Sequence, residues 1–245
     1  VPALCASTPV MEGRLTGLVD QRLEVYRANA VRVPRMSGIV IPEPCFDEAS
    51  YRREILDPLQ REVAAIEPEG ILEGEWLNAR GAIARFDRGA IELRLIDSQE
   101  CPAAELAVAA ACAALVRALV EEREVPHAEQ CAFASAPLAE LLVQAIAKGP
   151  AARVADPAFA RAFGWRGRAL PELGELWAEL VERTVAPALA ATPELRTPLQ
   201  TILREGTLSA RITRALGASP SRARLHEVYA ELAACLEEGR SFHAS

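Results

Sequence analysis

Lysine is nearly missing from this chain. Lys148 is the only one, and arginine carries almost all of the positive charge. The formal net charge is −7, which argues against a nucleic-acid binder, since such proteins are usually basic. Arginine does suit carboxylate and phosphate recognition, but bulk usage of this kind has a simpler source in codon bias. Histidine is scarce too: His127, His226 and His243 show no metal-ligand spacing, which excludes the common zinc sites. There is no G-x-x-x-x-G-K-[ST] phosphate loop and no G-x-S-x-G elbow. The six cysteines (Cys5, Cys45, Cys101, Cys112, Cys131 and Cys235) form no C-x-x-C pair. Several lie in apolar helical patterns, where cysteine behaves as a small hydrophobe, so they are read as reduced thiols and not as a disulfide framework. With no secretory signal, a cytoplasmic location is expected. The longest apolar run, around 106–120, is interrupted by Arg117, so no membrane span is expected. Acids and arginines remain, and these favour magnesium and phosphate chemistry over zinc or nucleophilic catalysis.

What is present suggests an α+β fold. The 245 residues are 51% hydrophobic, enough for one domain or for the C-terminal part of a larger one. Residues 1–100 read as loop, helix and hairpin, and 101–245 as helices. Pro9, Gly13 and Gly17 make 7–17 a loop. A short helix is expected at 18–30. Pro34, Gly38, Pro42 and Pro44 make 31–46 an extended segment. Asp47 then caps a helix from 48 to 65 that carries Tyr51, Ile55, Leu59 and Val63 at helical spacing. Pro102 opens a helix with Leu106, Ala109, Ala113, Val116 and Val120 at steps of three and four. Another covers 136–148 and ends at Gly149-Pro150. A third spans 171–190, with Leu173, Leu176, Trp177, Leu180 and Val181 on one face. The last takes Ser219 as its cap and Pro220 as its first residue, buries Leu225, Val228, Tyr229, Leu232 and Leu236, and stops at Gly239. No internal repeat is found.

Between these helical stretches lies "NARGAIARFDRGAIELRLID", two alternating runs flanking "DRG", which read as a β-hairpin over about 80–97. In "IELRLID" the side chains two apart share a face. One face would hold Ile91, Leu93 and Leu95, and the other Glu92 beside Arg94. A two-residue loop at Arg88 and Gly89 would set Asp87 opposite Ala90 and Arg85 opposite Glu92, whereas a slip of one residue would exchange the faces. On residues alone, the simplest account is a half-exposed strand carrying an Arg85–Glu92 pair.

The runs "STPVMEGRLTGLVDQRLEVY", "EWLNARGAIARFDRGAIELRLIDSQECPAAELAVAA" and "GTLSARITRALGASPSRARLHEVYAELAACLEEGRSF" resemble the carboxylate-amine ligase branch of the glutamate–cysteine ligase family. Such enzymes use ATP to phosphorylate the side-chain carboxyl of glutamate, and an amine such as cysteine displaces phosphate to give an amide, the type of ligation used in glutathione biosynthesis. The resemblance implies a curved antiparallel sheet like that of glutamine synthetase. It also implies that Glu92 binds magnesium and that Arg94 contacts ATP phosphate, the two forming the catalytic pair. Arg22, which closes a G-x-x-x-x-R spacing from Gly17, is similar to a residue that holds the substrate carboxylate, and Arg85 is taken with it as a substrate-binding candidate. The chemistry is consistent, because a hard cation takes oxygen ligands and a planar guanidinium matches phosphate or carboxylate with paired hydrogen bonds.

Family members also carry an upstream G-V-E-x-E-like strand and a histidine-containing strand that supply further metal ligands. Nothing in 1–245 matches them. This sequence is therefore expected to be a C-terminal portion whose remaining metal ligands lie elsewhere. Its uncovered strand edges would pair with another segment or another copy. The competing expectation is a non-catalytic helical interaction or scaffold fragment derived from the same fold.

Overall fold

The computed structural model describes residues 1–72 and 74–244. The fold is α+β: mostly helical, with two two-stranded antiparallel sheets among the described residues. The chain divides into two compact units. One comprises Leu23–Leu95 with Cys131–Glu140, and the other Val1–Arg22, Ile96–Gln130 and Leu141–Ser245.

In the unit built around 23–95, Asp47 caps the helix Glu48–Tyr51 by accepting from the Ser50 backbone N–H at 2.8 Å, as the sequence predicts. That helix runs through a π turn, Arg52–Leu56, into Asp57–Ala64. The π turn precedes Pro58, whose missing N–H and ring disfavour a regular i to i−4 ladder there. The segment 31–46 is less extended than expected, because Pro34 takes the first position of a single helical turn, Pro34–Ser37. Tyr51 and Ile55 are core residues. The Tyr51 hydroxyl accepts from Asn78 Nδ2 at 2.7 Å and from the Ala84 N–H at 3.3 Å. Its ring meets Phe86 edge-on. Buried Arg80 grips both oxygens of Glu43 and reaches the Met36 carbonyl. These bonds tie the irregular segment and the base of the hairpin together.

The hairpin itself pairs Ala82–Arg85 with Ala90–Leu93. Its register corrects the sequence reading: Arg85 lies opposite Ala90, and Ile83 lies opposite Glu92. The cause is the turn. Phe86–Arg88 form a 3-10 turn and Gly89 closes it with φ 58°, a left-handed conformation that glycine adopts without a Cβ penalty. More residues are spent in the loop than a two-residue turn would use. The slip is by an even step, so faces are kept and Arg85 becomes a diagonal neighbour of Glu92. Burial differs from expectation as well. Ile91 is 60% exposed, while Ile83, on the face of Glu92 and Arg94, is 2% exposed.

In the other unit, the expected loop at 7–17 contains a small hairpin, Val10–Met11 with Arg14–Leu15, turned by Glu12 and Gly13, both at positive φ. The helix Pro102–Val120 begins at Pro102 as predicted but buries a different face. Ala104, Ala107, Val108, Ala111, Cys112 and Ala118 are inside, whereas Leu106 and Val120 are 59% and 73% exposed. By length and composition this helix is apolar enough to cross a membrane; here it packs on Val181–Val185 and Arg196–Glu205. Leu173, Leu176, Trp177, Leu180 and Val181 are all buried, as expected. The last helix is Arg222–Glu238, capped by Ser221 and not by Ser219. Ser221 accepts from the Arg224 N–H at 3.1 Å, and Pro220 precedes the helix. Gly239 ends it with φ 69°. Val228 and Cys235 form the buried stripe with Leu225 and Leu232 half-covered, while Tyr229 and Leu236 are exposed. All six cysteines are free thiols, and burial pushes the Cys5 thiol up to about 12.

The fully buried Thr207 caps Leu208–Leu216 by accepting from the Ala210 N–H at 3.3 Å. Thr207→Ala is expected to lower unfolding free energy by about 1 kcal/mol, measurable by denaturant titration. An unchanged midpoint would remove the cap from the account of this helix.

Candidate functional site

The first cluster sits on the hairpin of the 23–95 unit. Glu92 occupies the centre of its strand with both carboxylate oxygens engaged: Arg94 Nε donates to Oε1 at 2.9 Å, and Arg85 Nη1 to Oε2 at 3.2 Å. Arg85 also donates from Nε and Nη2 to the two oxygens of Asp87, each at 3.3 Å. Its guanidinium carbon lies 5.4 Å from the centroid of the exposed Trp76 ring, a cation–π contact. The hydrogen bond to Asp87, with Glu92 adding to it, raises the Arg85 pKa, and Arg85 in turn lowers that of Asp87. Arg85 is largely covered, its side chain 8% exposed, while Glu92 and Arg94 stay open to solvent. The structure thus brings together three of the four residues that the sequence singles out.

The fourth, Arg22, belongs to the other unit. Its Nε lies 3.0 Å from Asp97 Oδ1, and its Nη2 lies 3.9 Å from Asp20 Oδ2. Both acids are buried, while the Arg22 side chain is 32% exposed. Asp97 is held from several directions: Oδ2 accepts from the Ser7 N–H at 3.0 Å and Thr8 Oγ1 at 2.9 Å, and Oδ1 accepts from the Ser98 N–H at 3.0 Å. Sequence reasoning did not single out Asp97, though it is the last letter of "IELRLID". Its signal was weak: a carboxylate that ends an alternating apolar run looks like a strand terminator.

Chemically, the hairpin cluster offers guanidinium groups for anionic oxygens and two carboxylates, Glu92 and Asp87, whose four oxygens all accept from arginine. No group of three or more His, Cys, Asp or Glu side chains suited to a metal occurs among the described residues. Magnesium is often held by only one or two carboxylates together with substrate phosphate; a guanidinium cannot ligate it, so a carboxylate such as Glu92 would serve only on release from its arginine partners.

The family described as glutamate-cysteine ligase family 2 matches residues 1–232. An uncharacterized protein of Archaeoglobus fulgidus is 36% identical over 128 residues, which cover 51% of this chain and 33% of that protein. The matched stretch therefore spans about a third of the relative's length.

Proposed function

The chain belongs to glutamate-cysteine ligase family 2, and from that premise we propose that it is part of an ATP-dependent carboxylate–amine ligase. In this reading ATP phosphorylates the side-chain carboxyl of glutamate to an acyl phosphate with release of ADP, and an amine such as cysteine attacks the acyl carbon, displacing inorganic phosphate to form the amide. The observation that supports the reading is the Arg85–Glu92–Arg94 cluster: two guanidiniums flank one carboxylate on a single hairpin face. Arg94 would bind phosphate and stabilise the charge that builds on the transferring group. Glu92 would contribute to holding magnesium, which when bound neutralises phosphate charge. Arg22 would hold a carboxylate of the amino-acid substrate by paired hydrogen bonds. Arg85, gripped by Asp87 and Glu92, would help set the substrate side of the cluster. The remaining metal ligands would lie outside these 245 residues.

The experiment is ADP release by the full-length gene product, followed across glutamate and a panel of amines, with the amide identified by mass. Release that requires both glutamate and an amine supports the reading. No glutamate-dependent release with any amine would favour a non-catalytic scaffold instead. A companion measurement is calorimetric titration of residues 1–245 with Mg-ATP. No saturable binding is expected at micromolar concentrations, because Glu92 is the one carboxylate that this reading assigns to the metal. Saturable micromolar binding would show that ligands from elsewhere are not required.

A further inference from the structure

We propose that Asp97 is the positioning residue that orients Arg22 for the amino-acid substrate, an inference that rests on the ligase reading above. Arg22 is long and a third of its side chain is exposed, so left to itself it would sample many rotamers, and ordering it at each binding event would weaken affinity. Asp97 is the opposite kind of group. It is buried, and three donors fix it: the Ser7 N–H, Thr8 Oγ1 and the Ser98 N–H. Two of these donors, Ser7 and Thr8, lie about ninety residues away in the chain, so the carboxylate is anchored by the fold as well as by its own loop. Its Oδ1 lies 3.0 Å from Arg22 Nε. A guanidinium has five donors in a planar fork, and a fixed negative charge 3.0 Å from Nε holds that end of the fork in place. The buried Asp20, 3.9 Å from Nη2, restrains the same group from a second side. A guanidinium held this way meets an incoming carboxylate without paying again for its own ordering.

The test uses steady-state kinetics of the full-length gene product for Arg22→Ala, Asp97→Asn, Asp97→Glu and Thr8→Val. Asp97→Asn keeps the shape and removes the charge. It should raise the KM for glutamate about tenfold, about 1.4 kcal/mol for the lost ion pair. Its kcat and its KM for ATP should stay within about twofold of the parent, the pattern of lost ground-state binding. Asp97→Glu should recover part of that loss. Thr8→Val, which removes one anchor of Asp97, should raise the same KM about threefold, and it carries the test if Asp97→Asn does not fold. Should Arg22→Ala raise the glutamate KM while Asp97→Asn and Thr8→Val leave it unchanged, the inference is overturned and the ligase reading stands. Should Arg22→Ala leave the glutamate KM unchanged, the role given to Arg22 fails first.

Discussion

Replacing Arg211 by leucine is expected to destabilise the helical unit by about 3–5 kcal/mol, the range for removing one partner of a buried ion pair. Arg211 and Glu100 are both buried, with Nη1 of Arg211 2.6 Å from Oε1 of Glu100. The same Arg211 nitrogen donates to the Phe242 carbonyl at 2.5 Å, and Arg211 Nε donates to that of Gly206 at 3.2 Å. Glu100 Oε1 also accepts the Phe242 N–H at 3.3 Å. One pair therefore pins the segment after the last helix, and Phe242 completes the core made by Leu208, Ile212, Leu216 and Val228. Arg211→Leu leaves the buried Glu100 carboxylate without its ion-pair partner and frees the carbonyl of Phe242. The double change Arg211→Leu with Glu100→Leu should cost less than Arg211→Leu alone, because no uncompensated charge remains. Denaturant unfolding of the three proteins decides the matter: a double variant less stable than the single would show that the pair stabilises beyond its desolvation cost.

That pair also shows why part of the fold was legible from sequence and part was not. The helix at 171–190 was readable because its apolar residues contrast with Glu175 and Glu182 on the exposed side, so the period is visible in the letters. Pro102–Val120 offers no such contrast. It is apolar nearly all round, and alanine is small enough to be packed on any face, so spacing alone chose the wrong one. Hairpin register failed for a local reason, since "FDRG" can close either as a two-residue turn or around a 3-10 turn with Gly89 left-handed. The Arg211–Glu100 pair, 111 residues apart, left no local trace. The site divides the same way. The Glu92–Arg94 pair was visible through alternation, with Glu92 in the strand Ala90–Leu93 and Arg94 just past its end. Asp97 was not, because Ser7, Thr8 and Arg22, which give it meaning, lie far upstream in the chain.

The largest kinetic effects are expected at Arg94 and Glu92, in the full-length gene product. Arg94→Ala should lower kcat by about tenfold or more, the scale of a lost group that stabilises transition-state charge. Glu92→Gln keeps the size and removes the charge. It should chiefly raise the magnesium concentration needed for half-maximal rate, since a neutral amide is a weaker ligand for a hard cation than a carboxylate. The ion pair also permits a purely structural account, in which Glu92 exists to hold Arg85 and Arg94 against the hairpin. The two accounts differ in what the same variants do. Both residues are partly exposed, and such pairs contribute little to stability, so thermal midpoints should scarcely move while kinetics change. The structural account requires the reverse: lowered midpoints, with kcat and magnesium dependence at parental values. A third variant sharpens the contrast. Arg85→Ala removes the partner of Glu92 Oε2 and of Asp87 Oδ1, while Asp87 Oδ2 keeps Arg88 and Glu92 Oε1 keeps Arg94. If phosphate contact is the task of Arg94, Arg85→Ala should be less damaging to kcat than Arg94→Ala. Equal losses in the two would mean that the cluster acts as one unit, with no separate phosphate-binding role for Arg94.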